Sequence, residues 1–163
     1  MRNWPVRLAA VVAAVAAGVF LLVGPAAAHR NAANFHCTAS SQAPASGHAT
    51  GRLVPKKPTA FGLCRYGPAP DYTLKASRLV TKPRVVHRLT HGFNALPAIP
   101  PGAVACPASD GSEMVVYAMY KRSATRIVHV ALSGCLIARR RNLVRWDTPS
   151  GGKFVRVLKH LTR

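Results

Sequence analysis

Two runs rich in β-branched and aromatic residues, Glu113–Tyr120 and Ile127–Leu132, flank a polar break, Lys121-Arg122-Ser123-Ala124-Thr125. That layout predicts a strand-turn-strand hairpin. A cysteine stands just outside each end, Cys106 before it and Cys135 after it. Upstream, Thr59–Tyr66 reads as a strand, Gly67-Pro68-Ala69-Pro70-Asp71 as turn chemistry, and Tyr72–Thr81 as a second strand with Tyr72, Leu74 and Ala76 on one side. Pro83 opens a helix, where its missing N–H costs nothing. Val85, Val86, Leu89, Phe93 and Leu96 fall on one arc of that helix, with His87, Thr90, His91 and Asn94 opposite, and Pro97 stops it. Beyond the hairpin, Arg139-Arg140-Arg141-Asn142 reads as a turn and Leu143–Trp146 as a returning strand. Lys153–Leu161 has helical spacing again, with Phe154, Val155, Val157, Leu158 and Leu161 on the apolar side. Arg52–Pro58, closed by Pro55-Lys56-Lys57-Pro58, is at most an edge strand. The predicted order is β-β-α-β-β-β-α, an α+β domain with a small antiparallel sheet under amphipathic helices.

The ends of the chain carry a different pattern. Arg2 and Arg7 precede an apolar run from Leu8 to Val23, then Gly24-Pro25 and the small residues Ala26-Ala27-Ala28. This is the layout of a signal peptide over residues 1–28, cleaved after Ala28; the run is shorter than the roughly 20 residues a membrane span needs. Residues 29–51 lack periodicity and read as a flexible linker tethered at Cys37, leaving 52–163 as a single domain. Export implies a compartment where disulfides persist, and the chain has four cysteines. Three pairings are open to them. Antiparallel pairing of the hairpin favours Cys106–Cys135, which leaves Cys37–Cys64.

Charge changes the picture most. Lys and Arg number 23 against four acids, and removing Arg2 and Arg7 lowers the formal charge from +19 to +17. Such a field favours polyanions or anionic surfaces, and it also serves plain solubility. Catalytic signals are sparse. Asp71, Asp110 and Asp147 sit in turn contexts, and nothing along the chain marks a carboxylate pair of the kind a glycosidase needs. Ser109 and Ser112 flank Asp110-Gly111 without a nucleophile-elbow motif. His87 and His91 lie one helical turn apart, but Arg88 occupies the position where a zincin carries Glu, so no metal or cofactor is expected. His129, on a strand, reads as a satisfied, partly buried side chain. The candidate anion contacts are Arg139, Arg140, Arg141 and Arg145, with Trp146 nearby, and Arg156 and Lys159 on the cationic arc of the last helix. The apolar arc of that helix is read as filling the core, because a lone short helix needs tertiary packing.

Cys64-Arg65-Tyr66, Asn94-Ala95-Leu96-Pro97, Cys106-Pro107 with Asp110-Gly111, and Leu132-Ser133-Gly134-Cys135 together resemble a group of small exported proteins of actinobacteria. The similarity spans Leu53–Trp146, and its motifs are structural. It implies export and this fold, and carries no activity. Lys82 stands where a capping Asp or Ser is expected. The reading is a secreted, basic, monomeric binding domain for an anionic cell-envelope partner. Its alternatives are an extracellular enzyme, which requires a cleft gathering Asp110, Glu113 and His129, and an inhibitor of a secreted enzyme, which requires a rigid protruding loop near a disulfide.

Overall fold

The computed structural model describes residues 35–38, 51–55, 57–102, 104–148 and 151–163. The expected signal peptide, and the linker apart from 35–38 and Gly51, lie outside the described residues. The strands are β1 (Ala60–Tyr66), β2 (Leu74–Val80), β3 (Glu113–Met119), β4 (Arg126–Ala131), β5 (Ile137–Arg140) and β6 (Leu143–Trp146); the helices are α1 (Pro83–Ala95) and α2 (Lys153–Leu161). All six strands join one antiparallel sheet in the order β2-β1-β3-β4-β5-β6. β2 and β3 flank β1, so the chain between them must cross β1, and α1 makes that crossing.

One strand more is present than the order β-β-α-β-β-β-α allows. Ile137–Arg140 is a strand of its own, because Gly134 (φ 67°) and Leu136 (φ 33°) turn the chain back after β4. The expected four-residue turn shrinks to Arg141-Asn142, with Arg140 already paired to Leu143 and Arg141 at φ 55°. Likewise Tyr72 is not on a strand: its φ of 44° places it in the turn, and β2 is a largely exposed edge strand.

Strand alternation gives the sheet two unlike faces. On the first, Phe61, Leu63, Met114, Val116, Ala118, Val128 and Val130 pack against Val86, Leu89 and Phe93 of α1 and Val155 and Leu158 of α2. Leu53 and Val54 complete this core without forming a strand, being 1% and 0% exposed. Asn94 holds them: its Nδ2 donates to the Val54 carbonyl (2.7 Å) and its Oδ1 accepts from the Val54 N–H (3.1 Å). The asparagine amide thus stands in for a neighbouring strand.

The second face is covered by the segment around Cys37. The Phe35 ring lies edge-on to Tyr117 (5.6 Å) and directly over Gly62, where any Cβ would collide with it. The Tyr66 hydroxyl donates to the Thr38 carbonyl (2.8 Å). Both pairings expected from the sequence are present, Cys37–Cys64 with Cα atoms 5.7 Å apart and Cys106–Cys135 with 5.0 Å. They close loops of 27 and 29 residues, each contributing about 3–4 kcal/mol in the chain-entropy model. Such bridges persist in oxidising compartments.

α1 begins at Pro83 although Lys82 supplies no side-chain cap; the Val85 and Val86 N–H groups bond the Lys82 carbonyl instead. α2 is capped from a distance. Its boundary residue, Gly152, is left-handed (φ 70°), and Asp147 Oδ2 accepts the Val155 N–H at 2.8 Å. That puts a buried carboxylate at a helix N-terminus, where the peptide dipoles favour it. Among the described residues no helix is long and apolar enough to cross a membrane.

Candidate functional site: the cationic helix face

α1 and α2 lie side by side because Gly92 lets them. A Cβ on Gly92 would collide with the Phe154 ring, which instead sits edge-on to Phe93 with centroids 4.7 Å apart. Their inner residues fill the core, except that Val157, expected there with the rest of its arc, faces outward and is 40% exposed. The outer side carries two adjoining hollows among the described residues. The groove between the helices, about 440 Å³, has Val85, Leu89, Val157 and Leu161 along its floor and Arg88, Lys153, Arg156 and His160 around its rim. The adjoining hollow, about 590 Å³, is lined by Pro83, Arg84, His87, Arg88 and His91. Arg88 belongs to both, and no carboxylate lines either one.

The first turn of each helix carries no acid. Arg84 therefore adds its charge to the positive end of the α1 dipole, an arrangement that works against local stability, whereas at α2 the Asp147 carboxylate offsets Lys153. At α1 that departure from the stabilising pattern points to use rather than to folding. His87 and His91 share the second hollow with Arg84 and Arg88. Among the described residues no three His, Cys, Asp or Glu side chains converge as metal ligands.

The six cations singled out in the sequence do not form one patch. Arg156 is on the groove rim, its guanidinium bonded to the Gly151 carbonyl. Lys159 is half-buried on the same helix and close enough to Asp110 to stabilise its carboxylate. Arg139 and Arg140 are consecutive on β5 and project to opposite faces. Arg140 Nη2 donates to the Arg52 carbonyl (2.8 Å), and its pKa is lowered by burial first and then by the nearby charges of Arg126 and Arg141. Arg141 is exposed in the turn, and Arg145 stands opposite Ala138 on β6. Sequence reasoning did not single out Arg84, Arg88 and Lys153, because only the packing of two helices separated by four strands and their loops joins them. The expected arginine grouping at the hairpin tip was visible as a charge run; the helix-face grouping was not.

The second face holds a smaller cleft of about 170 Å³, lined by Tyr72, Ser109, Ser112, Glu113, His129 and Arg139 among others. Glu113 pairs in register with Ala131, which places its carboxylate diagonal to His129, and Oε1 meets Nδ1 at 2.5 Å. His129 is 5% exposed, more deeply buried than its sequence context implied, and its Nε2 has no hydrogen-bond partner. It is thus half satisfied rather than satisfied. Asp110 does not line the cleft. It bonds the Ser133 hydroxyl and the Ser112 N–H (2.8 Å), and these bonds, led by Ser133, lower its pKa to about 2. A carboxylate–imidazole pair is two-thirds of a hydrolytic triad, but here no hydroxyl stands at Nε2 and that atom is sealed from solvent. As arranged, the pair can hold β3 and β4 together; it cannot reach a substrate without a rearrangement.

The chain matches no protein-family model, no curated protein and no solved structure. The functional reading therefore rests on the residues themselves.

Proposed function

We propose that this protein is an exported, disulfide-clamped domain that binds an anionic partner of the cell envelope through the outer face of α1 and α2. The leader at residues 1–28, cleaved after Ala28, delivers it to the compartment where its bridges persist. The observation that carries the reading is the pair of hollows sharing Arg88, lined by seven basic side chains and no carboxylate. The scarcity of acids supports it further: with 23 Lys and Arg against four acids, most cations lack an internal counter-charge whatever the pairing. Binding of this kind is dominated by neutralisation and counter-ion release, so it weakens steeply with salt.

The test is titration of the oxidised protein with polyphosphate at low salt, comparing the wild type with Arg88→Glu/Arg156→Glu and with Arg141→Glu. The helix-face variant is expected to bind about tenfold more weakly or worse, a loss of about 1.4 kcal/mol, and the hairpin variant close to wild type. Absence of binding at low salt, or equal binding by the helix-face variant, removes the proposal.

The second reading, an extracellular hydrolase working through the Glu113–His129 pair, needs a rearrangement that opens His129 Nε2 to substrate. It requires turnover of ester or peptide substrates that Glu113→Gln abolishes while the fold is retained.

A further inference from the structure

We infer that the groove between α1 and α2 is a binding site for a single-chain anionic lipid, its hydrocarbon tail on the floor and its charged headgroup on the rim. The inference rests on the anion-binding reading for the rim and goes beyond it for the floor. A polyanion needs cations alone, yet this groove has an apolar strip beneath them, Val85, Val157 and Leu161, backed by the fully buried Leu89. Val157 is 40% exposed, the most exposed large hydrophobic residue of the domain, on a helix whose Val155 and Leu158 are fully in the core.

Core packing thus leaves Val157 unused. The rim is of one sign throughout, Arg88, Lys153, Arg156 and His160, which selects an anionic headgroup and disfavours a neutral lipid. The methylene stems of Lys153 and Arg156 widen the apolar strip while their charged ends stay in water. At about 440 Å³ the groove falls within the range of sites for small ligands. A bilayer demands a broad apolar face, and here Phe154, Val155 and Leu158 are committed to the core or packed against it, leaving Val157 with parts of Val85 and Leu161. A single chain fits what is left.

The experiment is calorimetric titration of the oxidised protein with lysophosphatidate below its micelle concentration. Glycerol phosphate supplies the same headgroup without a tail, and a monoacylglycerol the same tail without charge. Lysophosphatidate is expected to bind at one site per chain and about tenfold or more tighter than either control. Val157→Lys adds one cation to the rim and spoils the floor, and its exposed position leaves the fold intact; Val157→Thr, close in shape and uncharged, serves as the milder variant. Val157→Lys is expected to lose about tenfold in lysophosphatidate affinity while binding polyphosphate at least as tightly as before. Equal lipid binding by Val157→Lys, equal binding of glycerol phosphate, or binding to anionic vesicles without binding to the monomer overturns the inference. Loss of polyphosphate binding in the wild type strikes the broader reading instead, and lipid binding measured beside it separates the two.

Discussion

At the scale of single residues, the four acids of this chain are too few to neutralise it, and the structure uses at least three of them as internal fasteners. Asp147 is 2% exposed and receives the Val155 N–H, so it anchors the first turn of α2. Asp147→Ala is expected to lower unfolding stability by about 1–2 kcal/mol, read as a lower urea midpoint at unchanged slope. Asp110 works differently, tying the loop before β3 to Ser133 after β4. Its pKa is lowered from 3.8 to about 2, chiefly by the Ser133 hydroxyl and the Ser112 N–H. Because the folded value lies below the unfolded one, the stability Asp110 contributes is fully present above roughly pH 4 and disappears as pH falls through about 2. Urea midpoints between pH 5 and pH 2 should therefore fall more for the wild type than for Asp110→Asn. Parallel falls in the two proteins count against the Ser133–Asp110 link.

At the scale of elements, the contact between α1 and α2 sets two rules for Gly92 against each other. Helix propensity alone makes Gly92→Ala stabilising by about 1 kcal/mol. The Phe154 ring lies where the new methyl group must go, and overpacking of that sort costs about 1–3 kcal/mol. The clash should win, so Gly92→Ala is expected to destabilise the wild type, and in a Phe154→Leu background the same change should turn neutral or favourable. A stabilising Gly92→Ala in the wild type excludes this packing.

Much at this scale was legible in the sequence. The apolar arc of α1, the β-branched runs of β3 and β4 and the cysteines outside their hairpin announce themselves locally. β5 did not, because its Ile-Ala-Arg-Arg run resembles a charged turn until a neighbouring strand satisfies its backbone. Leu53 and Val54 were hidden for a related reason: an irregular segment becomes core only through Asn94, 40 residues away. The Glu113–His129 pair depends on strand register, and the helix groove on the angle between two helices. Neither property is encoded within a single window of the chain.

At the scale of the whole molecule, a formal charge of +19 on 163 residues acts on stability and on binding with opposite signs. Within the fold, burial first and then the like charges of Arg126 and Arg141 depress the Arg140 pKa. Compaction therefore works against self-repulsion, which added salt relieves over a Debye length of about 10 Å at 0.1 M. An anionic ligand relieves the same repulsion by supplying the missing countercharge, and added salt competes with it. Raising sodium chloride from about 20 to about 200 mM, a range across which screening changes strongly, should thus raise the urea midpoint of the free protein and weaken polyphosphate binding. With saturating polyphosphate present, the rise in midpoint should flatten or reverse, because salt then removes a ligand that stabilises the folded state by mass action. A free-protein midpoint that falls with salt contradicts self-repulsion as the dominant electrostatic effect. A salt response untouched by polyphosphate shows that the anion does not bind the folded state, at the helix face or elsewhere, and removes the anion-binding reading.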